Sequence, residues 1–344
     1  MSRVLVTGAS GMLGAATARR LQQAGHTVTT FQRSATPLPG VREVRGTLHS
    51  DDDVARAVQG HDAVVHLAAK VSVSGAWSEY VATNIEGTRR LLRAARAAGV
   101  GTFVHVSSPS VAHSGSSIVG EGAGAADPDL ARGNYARSKA VAELEVLAAD
   151  GPTMATTALR PHLVWGPGDT QLVERILDRA RSRRLPLLDA GGALIDSIYV
   201  DNAADAIVAG LERIAHVGGQ ALVITNAEPR PVGDLLAGIC LAGGVLPPTW
   251  ALPAWLARLA GSIIEGLWEW RPGADEPPMT RFLAEQLSTA HWFDQRRAQD
   301  LLAWQPLVSI DEGLGRLAAH YGGTAPARGA AVAAGGPTGK ESRG

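Results

Sequence analysis

A single cysteine, Cys240, is all that this 344-residue sequence offers for sulfur chemistry. No internal disulfide can form, and a reducing compartment fits. Cys240 lies in the apolar run Leu235–Ala242 and reads as a small core residue, not a nucleophile. Charge of one sign is also lacking: 32 Lys and Arg against 33 Asp and Glu leave a net charge of −1, and no basic block stands out. That argues against nucleic acid as a partner. The ten histidines show no His-Glu-x-x-His spacing and no Cys/His cluster, so no metal centre is expected. Ser108 lacks the Gly-x-Ser-x-Gly context of a nucleophile elbow. Met1–Arg3 lead straight into Val4-Leu5-Val6 with no basic stretch before a long apolar one, so no export signal is expected and the cytoplasm is the expected location. Leu235 to Ala257 carries no charge and could span a bilayer by length. Gly243-Gly244, Pro247-Pro248 and Pro253 would break a helix there, so the stretch reads as a helix, a short strand and a turn of a soluble domain. There are no internal repeats.

The 45% hydrophobic and 19% charged composition suits a globular chain with a sizeable core. Ser2–Thr7 reads as a buried strand and Ala15–Ala24 as a helix closed by Gly25. Between them, Gly8-Ala9-Ser10-Gly11-Met12-Leu13-Gly14 has a glycine every third residue. A strand, a glycine turn and a helix N-terminus make a pyrophosphate site, because free N–H groups and the helix dipole favour an anion that the glycines let come close. The next strand, Thr27–Phe31, ends in Gln32-Arg33. Without an acidic residue to hold a ribose 2′-hydroxyl, and with an arginine that can pair with a 2′-phosphate, NADP is favoured over NAD. The competing reading of Arg33 is a solvated loop charge.

Further along, Val41–Val44 reads as a strand and Ser50 caps a helix over Asp51–Val58, with Asp53 in its first turn. Ala63–Ala69 reads as a buried strand ending in small residues that would let a flat cofactor lie against the backbone, with His66 packed within it. Asn84 opens a helix through Ala98 and reads as a capping or bridging residue. Thr102–Val106 ends in Ser107-Ser108-Pro109-Ser110, hydroxyls at the carboxyl end of a parallel strand, where such sheets bind ligands. His113–Gly133 reads as a long loop over the site. Tyr135-Ala136-Arg137-Ser138-Lys139 then places a phenol and an ammonium on one helix face. A phenol with its ordinary pKa of about 10 is a poor acid or base at neutral pH. A fixed ammonium beside it stabilises the phenolate and makes proton exchange with a carbonyl oxygen feasible. The pair alone is weak evidence and gains force from the glycine turn and the serines.

Beyond Met154–Leu159 and the run Arg160–Asp169 the pattern changes, with helices over Leu172–Arg184 and Asn202–Arg213 and strands over Ser197–Val200 and Ala221–Ile224. The expected fold is α/β: a Rossmann-type doubly wound parallel sheet with a smaller C-terminal α/β substrate-binding cap. Residues 1–168, with contributions from 197–225, form the cofactor domain; 169–321 form mostly the cap; 322–344 form a disordered tail. Trp250, Trp255, Trp268, Trp270 and Trp292 crowd the second half, and Trp255, Leu259, Ile263 and Leu267 share i, i+4 spacing. Core packing explains them; the sharper readings are an apolar wall for a greasy substrate, or a surface for a partner or a membrane interface.

Taken together, the glycine turn, Ser108, Tyr135-x-x-x-Lys139 and Arg160-Pro161…Gly166-Pro167-Gly168-Asp169 resemble the extended short-chain dehydrogenase/reductases, in the 3β-hydroxysteroid and sterol dehydrogenase branch. Ala68-Ala69-Lys70, Ser108-Pro109-Ser110-Val111, Leu159–Asp169, Asp196–Ala204 and Met279–Trp292 look like the bacterial 2-alkyl-3-oxoalkanoate reductases of long-chain olefin biosynthesis. The resemblance implies reduction of the 3-keto group of a long-chain lipid-like acid with NADPH. It implies Ser108 (or the adjacent Ser107) as hydrogen-bond partner of the substrate oxygen, Tyr135 as general acid, and Lys139 on the nicotinamide ribose. Gly8, Ser10, Gly11, Met12, Leu13 and Gly14 would surround the pyrophosphate, and Arg33, Leu48, Ala68, Ala69, Pro161 and Leu163 would complete the cofactor contacts. Thr47 stands where many members have an aspartate for the adenine, and Ala112-His113 stands where sugar epimerases usually show Tyr-Gly. By resemblance, the helices around Asn84–Ala98 and Asn134–Ala149 would form a homodimer interface, and the olefin reading implies assembly with that pathway's other enzymes. The alternatives are a 3β-hydroxysteroid or sterol dehydrogenase, a nucleotide-sugar epimerase or reductase, and a non-catalytic NADP sensor.

Overall fold

Val4 and Val6 face one hydrophobic cluster and Leu5 faces another, so the first strand is buried on both sides. That is the signature of a parallel sheet covered on both faces by helices. The structure, a computed structural model, describes residues 1–35, 38–72, 75–113, 115–257, 259–261, 285 and 288–324. Its main sheet has seven strands, in spatial order Arg42–Arg45, Thr27–Gln32, Arg3–Thr7, Ala63–His66, Thr102–Val106, Ala155–Pro161 and Ala221–Ile224. All neighbouring pairs are parallel. The order reverses at the first strand, which makes a crevice at the carboxyl ends of Arg3–Thr7 and Ala63–His66, the usual ligand position of doubly wound sheets.

Helices Met12–Gln23 and Val200–Glu212 cover one face through Ala18, Leu21, Ala203, Ile207 and Leu211. The other face takes Asp51–Val58 and Gly87–Ala97 through Val54, Ala57, Val58, Leu91 and Ala95, with Val146 of helix Gly133–Ala148. Ser50 caps Asp51–Val58, its hydroxyl accepting the Asp53 N–H at 3.2 Å.

Two expectations need correction. Asn84 does not open a helix: helical structure starts at Trp77, passes through a π-helical stretch over Val81–Glu86 that holds Asn84, and continues as Gly87–Ala97. The wide π turn lets Asn84 leave the regular ladder and reach across to other elements. The stretch expected to be a loop contains a strand, Ile118–Glu121, paired with His291–Phe293 in a four-stranded sheet with Leu194–Ile195 and Arg230–Pro231. Four residues among glycines and serines show no periodicity, and their partner lies more than 160 positions away in the chain.

A separate buried cluster gathers Trp165, Ile176, Leu177, Leu236, Ile239, Cys240 and Leu314, with Ala16 of the first helix among them. Cys240 is free and buried, and burial pushes its thiol up to about 11. The expected strand at Ser197–Val200 is shorter, Ile198–Tyr199, because helix Val200–Glu212 begins at once. Trp268, Trp270, Ile263, Leu267 and the tail beyond 324 lie outside the described residues. No helix among the described residues is long and apolar enough to cross a membrane.

Candidate active site

Gly8 leaves the first strand with φ +78°, and a Cβ there would sit 2.7 Å from the Ala68 nitrogen. Only glycine allows both the left-handed turn and the close approach of the two strand ends. A Cβ on Gly14 would run into the Gly8 carbonyl, so the helix starts tight against the turn. Gly11 is the N-cap of Met12–Gln23 and offers no side-chain cap, and the first turn has no acidic residue. The helix's leading N–H groups are thus left for an anion.

Thr7 and His66 shape the floor. Thr7 Oγ1 accepts from the N–H of Leu67 at 3.2 Å and of Ala68 at 3.1 Å, and lies 2.7 Å from His66 Nδ1. His66 Nε2 lies 2.9 Å from Thr88 Oγ1, whose hydroxyl donates to the Asn84 carbonyl at 2.6 Å. This network assigns the hydrogen to Nε2 and makes Nδ1 the acceptor from Thr7. Burial and then the Lys139 charge push His66 down to about 3, so it is a neutral structural residue.

A groove of about 700 Å³ runs along these strand ends. Gly8, Ser10 and Gly11 line it beside the helix, Ala68 and Ala69 line its floor, and Arg33, Thr47 and Leu48 line its far end. Arg33 is exposed, whereas Gln32 is buried with Nε2 3.4 Å from the Glu43 carboxylate. Thr47 gives its N–H to the Asp53 carboxylate at 3.0 Å, and that bond, with Arg56, holds Asp53 below the usual carboxylate range. Met12, Leu13 and Gly14 stand behind the lining, with Met12 and Leu13 packed on the core. The groove, the glycine cradle and the free helix end fit a dinucleotide.

Beyond the groove, Tyr135 and Lys139 sit one turn apart on Gly133–Ala148. Lys139 is buried; its Nζ donates to the Val106 carbonyl at 2.7 Å and lies 3.1 Å from His105 Nε2. Burial, opposed by Glu143, lowers its pKa to about 7. Tyr135 is pushed up to about 12 by burial, against a hydrogen bond with Ser108 that lowers it. Ser108 Oγ accepts from the Ser110 N–H at 3.3 Å and the Ser110 hydroxyl at 2.9 Å, which leaves its own hydrogen for the phenol oxygen. Ser107 instead gives its backbone N–H to Leu159 at 2.7 Å, and its buried hydroxyl has no partner. Pro161 closes its strand beside Ile224, and Leu163 holds the strained φ of +45°.

Two supports escaped the sequence reading. Asn84 accepts the Lys70 N–H at 2.7 Å and gives its amide hydrogens to the Lys70 carbonyl at 3.1 Å and to Ser138 at 2.9 Å; Ser138 passes on to the Tyr135 carbonyl at 2.8 Å. The bridging half of the reading of Asn84 holds, through partners that no spacing reveals. Arg160 and Glu143 form an ion pair at 2.5 and 2.9 Å, both side chains 1% exposed. Arg160 also donates to the carbonyls of Ala123 and Gly124, tying the segment before helix Gly133–Ala148 to the sheet. The available signal was an arginine ending an apolar strand and a glutamate one turn beyond Lys139.

Residues 4–224 match the NAD dependent epimerase/dehydratase family. The chain belongs to that family. It is therefore an extended short-chain dehydrogenase/reductase, and an oxidoreductase of that family. It is 42% identical to a 2-alkyl-3-oxoalkanoate reductase of Stenotrophomonas maltophilia, over 92% of this chain and 98% of that one. It is 31% identical to a 3-beta-hydroxysteroid dehydrogenase of Mycolicibacterium neoaurum, over 93% and 92%. Among solved structures, MoeE5 in complex with UDP-glucose and NAD is similar with TM-score 0.69 and 26% identity, over 92% and 98%. The family resemblance drawn from the motifs and the doubly wound fold both stand.

Proposed function

We propose that this extended short-chain dehydrogenase/reductase reduces the 3-keto group of a long-chain 2-alkyl-3-oxoalkanoic acid to the 3-hydroxy acid, using NADPH, in hydrocarbon (olefin) biosynthesis. The observation that carries the chemistry is the placement of Tyr135 one turn from the buried Lys139, on a helix that Ser138 and Asn84 tie to Lys70 at the dinucleotide groove. The substrate class is supported by the 42% identity to a reductase with that name.

When bound, the cofactor supplies the hydride to the keto carbon. Gly8, Ser10 and Gly11 hold its pyrophosphate, with Met12, Leu13 and Gly14 setting the helix end behind them. Arg33 pairs with the 2′-phosphate, with no carboxylate at Gln32 to repel it. Leu48, Ala68 and Ala69 pack on the adenosine side, and Pro161 and Leu163 on the nicotinamide side. Lys139 holds the ribose hydroxyls; Ser108 positions the keto oxygen, and Tyr135 protonates it. A charge on Lys139 near the phenol lowers the cost of leaving Tyr135 as phenolate. The cap over 169–321 encloses the alkyl chains, residues 1–168 with 197–225 hold the cofactor, and the chain works in the cytoplasm. Helices Gly87–Ala97 and Gly133–Ala148, linked on the surface by Arg89 and Glu145, are the proposed homodimer face, and assembly with other olefin-pathway enzymes belongs to the same reading.

The test runs the reaction backward, which avoids the keto acid's tendency to lose carbon dioxide. Protein is given a racemic long-chain 2-alkyl-3-hydroxy acid with NADP⁺ or NAD⁺, and reduced cofactor and ketone are followed. NADPH formation on the acid and none on a 3β-hydroxysteroid supports the proposal. Turnover of the steroid with NAD⁺ and none of the acid overturns it.

A further inference from the structure

The cap carries a second groove, of about 650 Å³, which shares no lining residue with the dinucleotide groove. One wall is apolar: Leu246, Pro247, Pro248 and Trp250. Leu246 is 80% exposed and Trp250 45%. The strand Ala251–Leu252 then leads into a helical segment whose Trp255 and Leu259, one turn apart, are 65% and 55% exposed. Four large apolar side chains in water within fourteen positions of the chain mark a surface meant to be covered. Indoles suit a boundary that is greasy on one side and wet on the other.

The other wall is basic. Arg181 and Arg183 line the same groove, and Arg184 follows, exposed. Arg181 is paired with Asp178 at 3.0 Å, while the side chains of Arg183 and Arg184 make no hydrogen bond or ion pair with the described residues. Arg183 sits just past the helix Val173–Arg181 with φ +56°, a position where helix ends usually place glycine. A cationic side chain is thus kept at a strained position on the rim of an apolar groove. The chain as a whole is nearly neutral, so this local pattern, and not net charge, selects the partner.

We propose that this face of the cap docks on a membrane surface bearing anionic lipid. Arg183 and Arg184 meet the headgroup phosphates, and Leu246, Trp250, Trp255 and Leu259 enter the interface. The charge decides between occupants: unpaired arginines beside exposed indoles complement an anionic headgroup layer over acyl chains. The docking is peripheral, with no crossing helix among the described residues. It uses no active-site residue and stands or falls apart from the proposed reaction.

The test is co-sedimentation of the full chain with vesicles of phosphatidylcholine alone or mixed with phosphatidylglycerol. The protein should pellet with the mixed vesicles at low salt, stay in solution with phosphatidylcholine, and be released at high salt. Arg183→Gly with Arg184→Ser should weaken binding about twenty-five-fold, at roughly a factor of five per arginine. Glycine relieves the left-handed turn, so the fold survives this variant. Leu246→Ser with Trp255→Ser should weaken binding while leaving its salt dependence. Absence of wild-type binding to mixed vesicles, or binding by either variant as tight as that of the wild type, overturns the proposal. So does an oligomer that dissociates on Trp255→Ser without any vesicle binding, which would make the face a contact between copies of this chain.

Discussion

Lys139 holds its Nζ 3.1 Å from His105 Nε2, inside the protein. Two basic groups that close cannot both be charged away from water, and His105 is driven well below its ordinary range, first by burial and then by Lys139. The lysine carries whatever charge the pair has, with a pKa of about 7 in the cofactor-free chain. If the ammonium binds the ribose, cofactor affinity is full below pH 7 and falls as pH rises through it, because binding must then be accompanied by proton uptake. Quenching of tryptophan fluorescence by NADPH at pH 6 and pH 9 measures this. Lys139→Met should abolish the pH dependence. His105→Phe removes the acceptor and should move the midpoint down.

Tyr135→Phe keeps the ring and deletes the proton that Ser108 helps to orient. Turnover should fall by about 10² to 10⁴, the usual worth of a positioned general acid. NADPH binding by the same quenching signal should be unchanged. Retained turnover would remove Tyr135 from the mechanism.

Arg33 is exposed and lines the groove, and the proposed reaction gives it a charge contact with a phosphate that NADH lacks. Arg33→Ala should raise KM for NADPH by about tenfold, the worth of one charge-assisted contact. KM for NADH should stay nearly constant. Equal losses with both cofactors would make Arg33 a structural residue.

The difference between what the chain order revealed and what it hid is one of distance. Gly8, Gly11, Gly14, Tyr135 and Lys139 are linked by fixed local offsets, a turn or one helical step, so their spacing, taken as a set, suggests a cofactor and a proton donor. The same kind of offset, the first residue past a strand, put Arg33 forward, and the fold places it on the groove lining. His105 was not: it looks like any strand residue until the helix carrying Lys139 is laid on the sheet, 34 positions later. Arg160 with Glu143, Asn84 with Ser138, and the Ile118–Glu121 strand share that character. Each is defined by a partner that only tertiary packing brings near, so no periodicity records it. Ser108 and Ser107 show the boundary case: adjacency narrowed the choice to two, and only the fold puts Ser108, the N-cap of the turn at Pro109, near Tyr135 and buries the Ser107 hydroxyl without a partner among the described residues.

Acid should destabilise the protein through buried histidines. His66 is held at about 3, His162 at about 4 and His291 at about 3, each chiefly by burial, against about 6.5 when unfolded. Between those values the unfolded chain binds more protons, so stability rises with pH from about 4 to 6.5. Asp196 opposes this: burial pushes it up to about 6, so its contribution is lost as pH rises. The depressed histidines, His105 among them, outnumber the raised acids Asp196 and Asp205, and Tm should climb over that window. His291→Phe, which keeps a ring edge-on to His113, should flatten the climb. A flat or falling Tm between pH 4 and 6.5 would contradict these shifts.

The buried pair Arg160–Glu143 predicts a large loss for a change remote from the reacting atoms. Arg160→Met deletes the guanidinium and leaves the Glu143 carboxylate, 1% exposed, without its hydrogen-bonded partner and with only Lys139, one turn away, as a countercharge. Breaking a buried pair in this way costs about 3–5 kcal/mol. The double variant Arg160→Met, Glu143→Leu removes both charges and should recover much of that loss, because the expense lies in the stranded carboxylate and not in the missing attraction. Turnover separates a second role, since Arg160 also fixes the carbonyls of Ala123 and Gly124 just before the Tyr135 helix. If those contacts position the phenol, the double variant should be nearly as stable as the parent in urea and still slow. A double variant that regains both stability and full turnover would confine Arg160 to folding.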